Sequence, residues 1–360
     1  MKYDPYLIDS HKIDLHPQRI AQWMDAKNIN EKMNVFPLYV EVSPSGACNE
    51  RCTFCSVDYI GYKTRFINID IMKKCIDSMF KNGVKSVMYA GEGEPMLHKQ
   101  MAEIANYTKK VGVDVAFTTN GTLMNEEFVE TCLHNISWVK VSLNAGDAET
   151  YSTVHRVKKD LFNTVLKNIT YAVTFRNINR LNTTIGVQTV VLPENIDSIE
   201  QLIIDSTVAG ADYVVLKPYS QHHSSINKYD IDYNEWDYRL DNLSERYSTK
   251  DFKVIYRRNS ALKKEPSYLK CYSTPFLWSY IMADGSLYAC SAYLLNDRFN
   301  LGNINNNSFE EIWFSNKRRN LIEYIENELD ISECRLNCRM DKVNEFQWRL
   351  KNPESHDAFI

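Results

Sequence analysis

No stretch of this sequence is long and uncharged enough to span a bilayer. Its opening line, MKYDPYLIDSHKIDLHPQRI, has no apolar h-region of the kind that directs a chain out of the cytosol. A cytoplasmic protein is the expectation. An excess of one charge is also missing: 42 basic side chains stand against 46 acidic ones, a formal net charge of −4. Neither nucleic acid nor an anionic membrane then has an electrostatic reason to be the partner. There are no low-complexity tracts and no internal repeats beyond one alternating pattern. Without a leader, the nine cysteines are not expected to form a disulfide framework, and their clustering points to metal or iron–sulfur sites. With 44% of 360 residues hydrophobic, there is enough apolar material for one barrel-sized domain and a smaller one.

The alternating pattern starts at residue 37. PLYVEVS, VKSVMYAGEGEP, DVAFTTNG, WVKVSLNAG, TTIGVQTVVLPEN and DYVVLKPY read as strands, each followed by an amphipathic stretch such as NIDIMKKCIDSMFKNG or HKQMAEIANYTKKVG. Gly112 closes one helix and Asn125 opens another. Six βα units of about 25 to 35 residues predict an α/β fold, a parallel sheet curled into a partial (β/α)6 TIM-like barrel, with an open doubly wound sheet as the alternative. In a barrel the chemistry belongs on the loops at the C-terminal ends of the strands. The least ordinary sequences fall there: ACNERCTFC, GEGEP, TTNG, SLNAG and KPYSQHH. After residue 220 the rhythm breaks. A helical segment (NEWDYRLDNLSERY) leads to a hairpin turning at Asp284-Gly285, then to a helix capped by Ser308 and a cysteine-bearing tail. The expected division is an extension (1–36), the barrel core (37–220), a linking segment (221–254), a small α+β domain (255–345) and a tail (346–360).

The cysteines group unevenly. Cys75 and Cys132 stand alone in helical sequence and read as small core residues. Cys48, Cys52 and Cys55 lie within eight positions; three thiolates can hold three irons of a [4Fe–4S] cube and leave the fourth iron open, whereas structural zinc would want a fourth ligand.

This Cys-x3-Cys-x2-Cys loop, with Phe54 in the aromatic place after the first strand, resembles the signature of the radical S-adenosylmethionine (SAM) enzymes, over residues 37 to 220. The resemblance implies that SAM chelates the open iron and is reductively cleaved to a 5′-deoxyadenosyl radical that takes hydrogen from a substrate, with a flavodoxin or ferredoxin as electron source. It assigns AGEGEP to the methionyl end of SAM, through Gly91, Gly93 and a carboxylate, Glu92 or Glu94. Asn120, Ser142 and Asn144 suit ribose hydroxyls and the carboxylate, Arg156 suits the carboxylate, and Gln188 with Val190 suits the adenosine.

Beyond the barrel, Cys271-x13-Gly285-x4-Cys290 resembles the opening of the auxiliary-cluster extension called SPASM. Only Cys334 and Cys338 remain to complete it, so the likeness is to the shortened twitch form with one auxiliary [4Fe–4S] cluster, although that pair is spaced x3 where x2 is usual. Four thiolates leave no open iron, which favours electron transfer over direct substrate ligation and resembles twitch dehydrogenases of aminocyclitols. An epimerase needs a hydrogen-donating thiol, and the clustered cysteines are all spent. Peptide-modifying relatives commonly carry a peptide-recognition domain ahead of the barrel, and the 36 residues before the first strand lack its β-rich pattern. The expectation is therefore a dehydrogenase of a small carbohydrate-like molecule, sugar or cyclitol, with epimerase, peptide maturase and non-catalytic metal protein as alternatives. Lys217, Tyr219, His222 and neighbouring Gln221 and His223 are candidates to take the proton; Tyr59, Tyr62 and Arg257 are candidates to line the cavity.

Overall fold

A computed structural model describes residues 4–359. Each of the six expected strands forms where Val, Ile and Tyr concentrate: β1 (Tyr39–Val42), β2 (Ser86–Tyr89), β3 (Asp114–Thr119), β4 (Trp138–Ser142), β5 (Thr184–Val191) and β6 (Tyr213–Pro218). They pair in parallel in chain order, with register fixed by one apolar face. Val139, Val141, Val187, Val214 and Leu216 pack outward against the helices. Trp138 packs instead with Met88 and Ala116, and Val215 with Tyr213, on the opposite, inner face. That alternation gives the barrel a hydrophobic jacket and an inner face that carries polar groups.

The sheet goes further than six units. KVIY, in the stretch read as linker and domain boundary, forms β7 (Lys253–Tyr256), parallel to β6. On the other side β8 (Trp278–Ile281) pairs in parallel with β1 and antiparallel with β9 (Ser286–Tyr288), which pairs with β10 (Asn300–Asn303). The hairpin of the small domain is thus grafted onto the barrel's first strand. The full order is β10-β9-β8-β1-β2-β3-β4-β5-β6-β7, so β7 and β8 end the parallel run on either side of an open seam.

The punctuation is local chemistry. Asn125 accepts the Phe128 N–H, Gly112 closes its helix with φ of 108°, and Ser308 forms a capping box with Glu311. Cys75 and Cys132 lie buried in the outer core. Ile20, Trp23 and Met33 of the N-terminal extension pack on Phe276, Leu277 and Ile322 of the small domain. There the fully buried Arg318 guanidinium donates to the carbonyls of Met33, Val35, Trp313 and Pro275. Among the described residues no helix is long and apolar enough to cross a membrane.

Candidate active site

The loop after β1 is held from several sides. Arg51 N–H and Thr53 N–H donate to the carbonyls of His155 and Val154, at the end of the helix Ala148–His155. Asn120, at the end of β3, donates from Nδ2 to Asn49 Oδ1 at 2.7 Å, and Asn49 donates to Thr122 Oγ1 at 2.8 Å. The loop therefore presents Cys48, Cys52 and Cys55 together, each partly exposed. Burial raises all three thiols, Cys48 to about 12, and neighbouring negative charge, including the other cysteines, adds to the rise for Cys48 and Cys52. Bound iron would relieve that crowding by replacing protons. No fourth thiol can join them, because Cys75 and Cys132 face the outer core. Three converging cysteines and one vacant ligand place fit an open [4Fe–4S] site.

Beneath Cys52 lies a buried network that sequence reasoning missed. Glu50 accepts from Tyr151 Oη at 2.8 Å and from His155 Nδ1 at 2.7 Å, while His155 Nε2 takes the Asn144 backbone N–H at 3.3 Å. The imidazole is thus neutral, with its proton on Nδ1. Cys52 Sγ is 3.4 Å from that nitrogen. Glu50, Cys52 and His155 offer ligand atoms within 4.8 Å of one another, yet both Glu50 oxygens and both ring nitrogens are committed to hydrogen bonds. The trio is a mount for Cys52. A carboxylate inside the cysteine motif and a histidine just ahead of Arg156 were the available signals.

The Gly-rich loop after β2 clamps the cysteine loop. A Cβ at Gly93 would collide with the carbonyl oxygens of Ala47 and Ser45, so only glycine permits this approach; Gly91 takes φ of 118°. The two carboxylates part company. Glu92 turns away, to Arg65 at 2.6 Å and the Ala283 N–H at 2.7 Å, bracing the β8–β9 hairpin, which removes it from the pair offered to SAM. Glu94 is buried among Thr119 Oγ1, Asn120 N–H and Met96 N–H, and burial lifts its carboxyl to about 7. Ser142 and Gln188 stand opposite each other in register and are partly open. Asn144 Oδ1 accepts the Val190 N–H at 2.7 Å. The Phe54 ring edges onto His155 and packs with Val154 and Val190. Arg156, expected to face SAM's carboxylate, ends its helix in the left-handed region with its side chain exposed; His155, one residue earlier, reaches the site instead.

After β6 the three proton-acceptor candidates differ. Lys217 lies on the inner face, and burial plus the charges of Arg335, Arg257, Lys140 and Arg339 hold its ammonium well below the usual range. Lys140, on the inner face of β4, was not foreseen; burial first and Arg339 next bring it to about 7. Tyr219 points its hydroxyl at the Asn227 carbonyl and its ring at Tyr229. His222 is buried, accepts the Ser224 N–H on Nδ1, and is lowered to about 4 by burial and Arg335. Its ring stacks on Tyr59 at 5.0 Å and on His223 at 4.4 Å, and His223 lies 5.7 Å from Tyr293. Since Tyr293 Oη is 3.2 Å from Cys334 Sγ, these rings run from the first cysteine loop to the second cysteine group. Of the other lining candidates, Tyr62 receives the Arg51 guanidinium over its ring and Arg257 pairs with Asp9.

Cys271, Cys290, Cys334 and Cys338 line one cavity with Tyr293, Arg335 and Asn344. Burial pushes the Cys338 thiol up to about 12 and Cys290 and Cys334 upward as well. Four thiols around one enclosed space suit a cluster with every iron ligated. This segment bridges the open seam: within the x3 spacer Arg335 donates to Ser220 Oγ and O and Asn337 (φ 57°) to the Ser260 carbonyl, on the β6–β7 side, while Arg339, just past Cys338, pairs with Glu41 of β1 at 2.7 Å.

Residues 42–205 match the model of the radical SAM superfamily, and residues 271–339 match that of the SPASM iron–sulfur cluster-binding domain. A GTP 3′,8-cyclase of Chlorobaculum tepidum is 30% identical over 131 residues, which cover 36% of this chain and only 39% of that protein. A cysteine-type anaerobic sulfatase-maturating enzyme of Clostridium novyi is 24% identical over 344 residues, covering 84% of this chain and 87% of that protein. In fold, the chain is similar to SuiB of Streptococcus suis bound to S-adenosylmethionine, with a TM-score of 0.66, 18% identity, and coverage of 92% and 76%.

Proposed function

We propose, from the premise that this chain belongs to the radical SAM superfamily and carries a SPASM domain, that it oxidises its substrate at carbon. When loaded, the open cluster with SAM supplies the hydrogen-abstracting radical, and the closed cluster is the acceptor for the electron that a carbinol gives up, with one proton, in becoming a carbonyl. The protein's own part is to mount Cys48, Cys52 and Cys55 through Asn49, Glu50 and Gly93, and to face the substrate with Ser142, Gln188, Lys140 and Lys217.

One observation carries the oxidative reading. All four cysteines of the second group line a single cavity, while Cys75 and Cys132 are locked in the outer core. Among the described residues no thiol is left on the inner face to return hydrogen to a substrate radical, as an epimerase requires. The polar inner face supports a small polar substrate, a sugar or cyclitol in type, with a flavodoxin or ferredoxin as reductant. A second reading is oxidation of a peptide side chain. It is favoured by the similarity to the sulfatase-maturating enzyme, which runs along most of both chains.

Anaerobic turnover of the two-cluster holoenzyme in deuterated water tests the reaction. Oxidation predicts a carbonyl product and 5′-deoxyadenosine in equal amounts, with no deuterium on the reacting carbon. A product deuterated there would overturn it. Parallel arms with polyols and with peptides separate the two substrate readings.

A further inference from the structure

The inner face of the barrel holds more cation than it balances. Lys140 and Lys217 project there from β4 and β6, since their neighbours Val139, Val141, Val214 and Leu216 all pack outward. Both flank β5, where Lys217 is in register with Val190 and Lys140 with Gly186, so the two stand on either side of one strand and two inner positions apart along it. Around them lie Arg257, Arg335 and Arg339. Five cations thus share the space, and two carboxylates answer them: Asp9 pairs with Arg257 at 3.2 Å, and Glu41 with Arg339 at 2.7 Å. Arg335 is spent on Ser220 and also faces Cys338 and Cys290. Lys217 has no hydrogen bond or ion pair among the described residues, and Lys140 has only the Trp138 ring, at 5.6 Å.

A charged side chain drawn into a protein is ordinarily paired, because losing water without gaining a counter-charge is costly. Two ammonium groups on the inner wall, neither in an ion pair and only Lys140 facing a carboxylate, the Glu41 already paired with Arg339, call for an anion from outside. We propose that Lys140 and Lys217 bind a phosphate or diphosphate group of the substrate, so that the molecule oxidised is a phosphorylated small molecule. The proposal rests on the barrel interior being the substrate cavity, as in the oxidative reading above. The depressed ammonium groups fit this: burial lowers both first and the neighbouring arginines lower them further, and a bound dianion offsets that second, repulsive part. Ammonium groups donate without accepting, and charge-assisted bonds to phosphate oxygens are among the strong ones.

Calorimetric titration of the anaerobic two-cluster holoenzyme with inorganic pyrophosphate tests the site without any turnover. Binding should weaken at least about tenfold in Lys217→Met and in Lys140→Met, return in Lys217→Arg, and stay unchanged in Lys158→Met on the outside of the barrel. Iron content and circular dichroism of each variant separate lost binding from lost fold, and recovery in Lys217→Arg does the same. Absent binding, binding indifferent to both lysines, displacement of pyrophosphate by S-adenosylmethionine, or preference for an acidic peptide would each overturn the proposal. A carbonyl product from an uncharged substrate would overturn it while leaving the oxidative reading standing.

Discussion

The first cysteine group comes from one loop and the second from three separate places in the chain, and the two are braced differently. Cys48, Cys52 and Cys55 need only the loop after β1 to approach one another, and the surroundings of Cys52 are fixed by the buried Glu50–His155–Tyr151 network. Cys271, Cys290, Cys334 and Cys338 meet only when the β8–β9 hairpin is grafted to β1 and the tail crosses the seam between β7 and β8. The first group stops one ligand short, and no cysteine stands by to complete it. The second closes on itself, with Tyr293 and Asn344 directed at its sulfurs. A site that must admit a cofactor is built on a local loop with rigid backing, whereas a site that must stay shut is assembled from distant pieces.

Removing one cysteine from each group strains this comparison hardest. Cys52→Ala should drop iron from about eight per chain to about four and reduce SAM cleavage to background. Cys338→Ala should also lose about four irons yet still cleave SAM, releasing 5′-deoxyadenosine without oxidised product. Equal loss of SAM cleavage in both would erase the division of labour.

The braces come next. Glu50→Ala leaves Tyr151 Oη and His155 Nδ1–H buried without a partner and should destabilise the cluster-free protein by about 4 kcal/mol in denaturant titration. Asn337→Ala, which loses one bond to the Ser260 carbonyl, should cost about 1 kcal/mol. Glu94 makes the first site pH-sensitive. Its carboxyl stays protonated to about pH 7 when folded and ionises near 4.5 when unfolded, so the stabilisation present at low pH is lost as pH rises through that window. Up to about 3 kcal/mol is at stake in the cluster-free protein, and Glu94→Gln should flatten the profile between pH 4.5 and 7. The smallest effect is expected from Arg156→Ala. Its exposed side chain should change SAM affinity less than about fivefold, measured by equilibrium binding to the holoenzyme.

What could be read in advance divides along the same line. The six βα units and both cysteine groups were legible because periodicity, turns and spacing are local signals. The strand β7 was not, since KVIY is short and its only support is pairing with β6. The parallel pairing of β8 with β1 joins residues far apart in sequence, which no local pattern encodes. Lys140 was passed over because a single lysine in an alternating strand reads as a solvent position, and only closure of the barrel turns that face inward. Glu92 and Glu94 look equivalent in GEGEP; the hairpin behind one and β3 beside the other separate them. Arg156 drew attention from His155 because a guanidinium is the more familiar partner for a carboxylate, while the helix end points the histidine inward.

Electron paramagnetic resonance of the fully reduced holoenzyme, before and after addition of SAM, tests the central claim most directly. An open first cluster beside a closed second one predicts two signals, of which one shifts with SAM; that shifting signal should survive in Cys338→Ala and vanish in Cys52→Ala. A shift of both signals, of neither, or one that persists without Cys52 would contradict it.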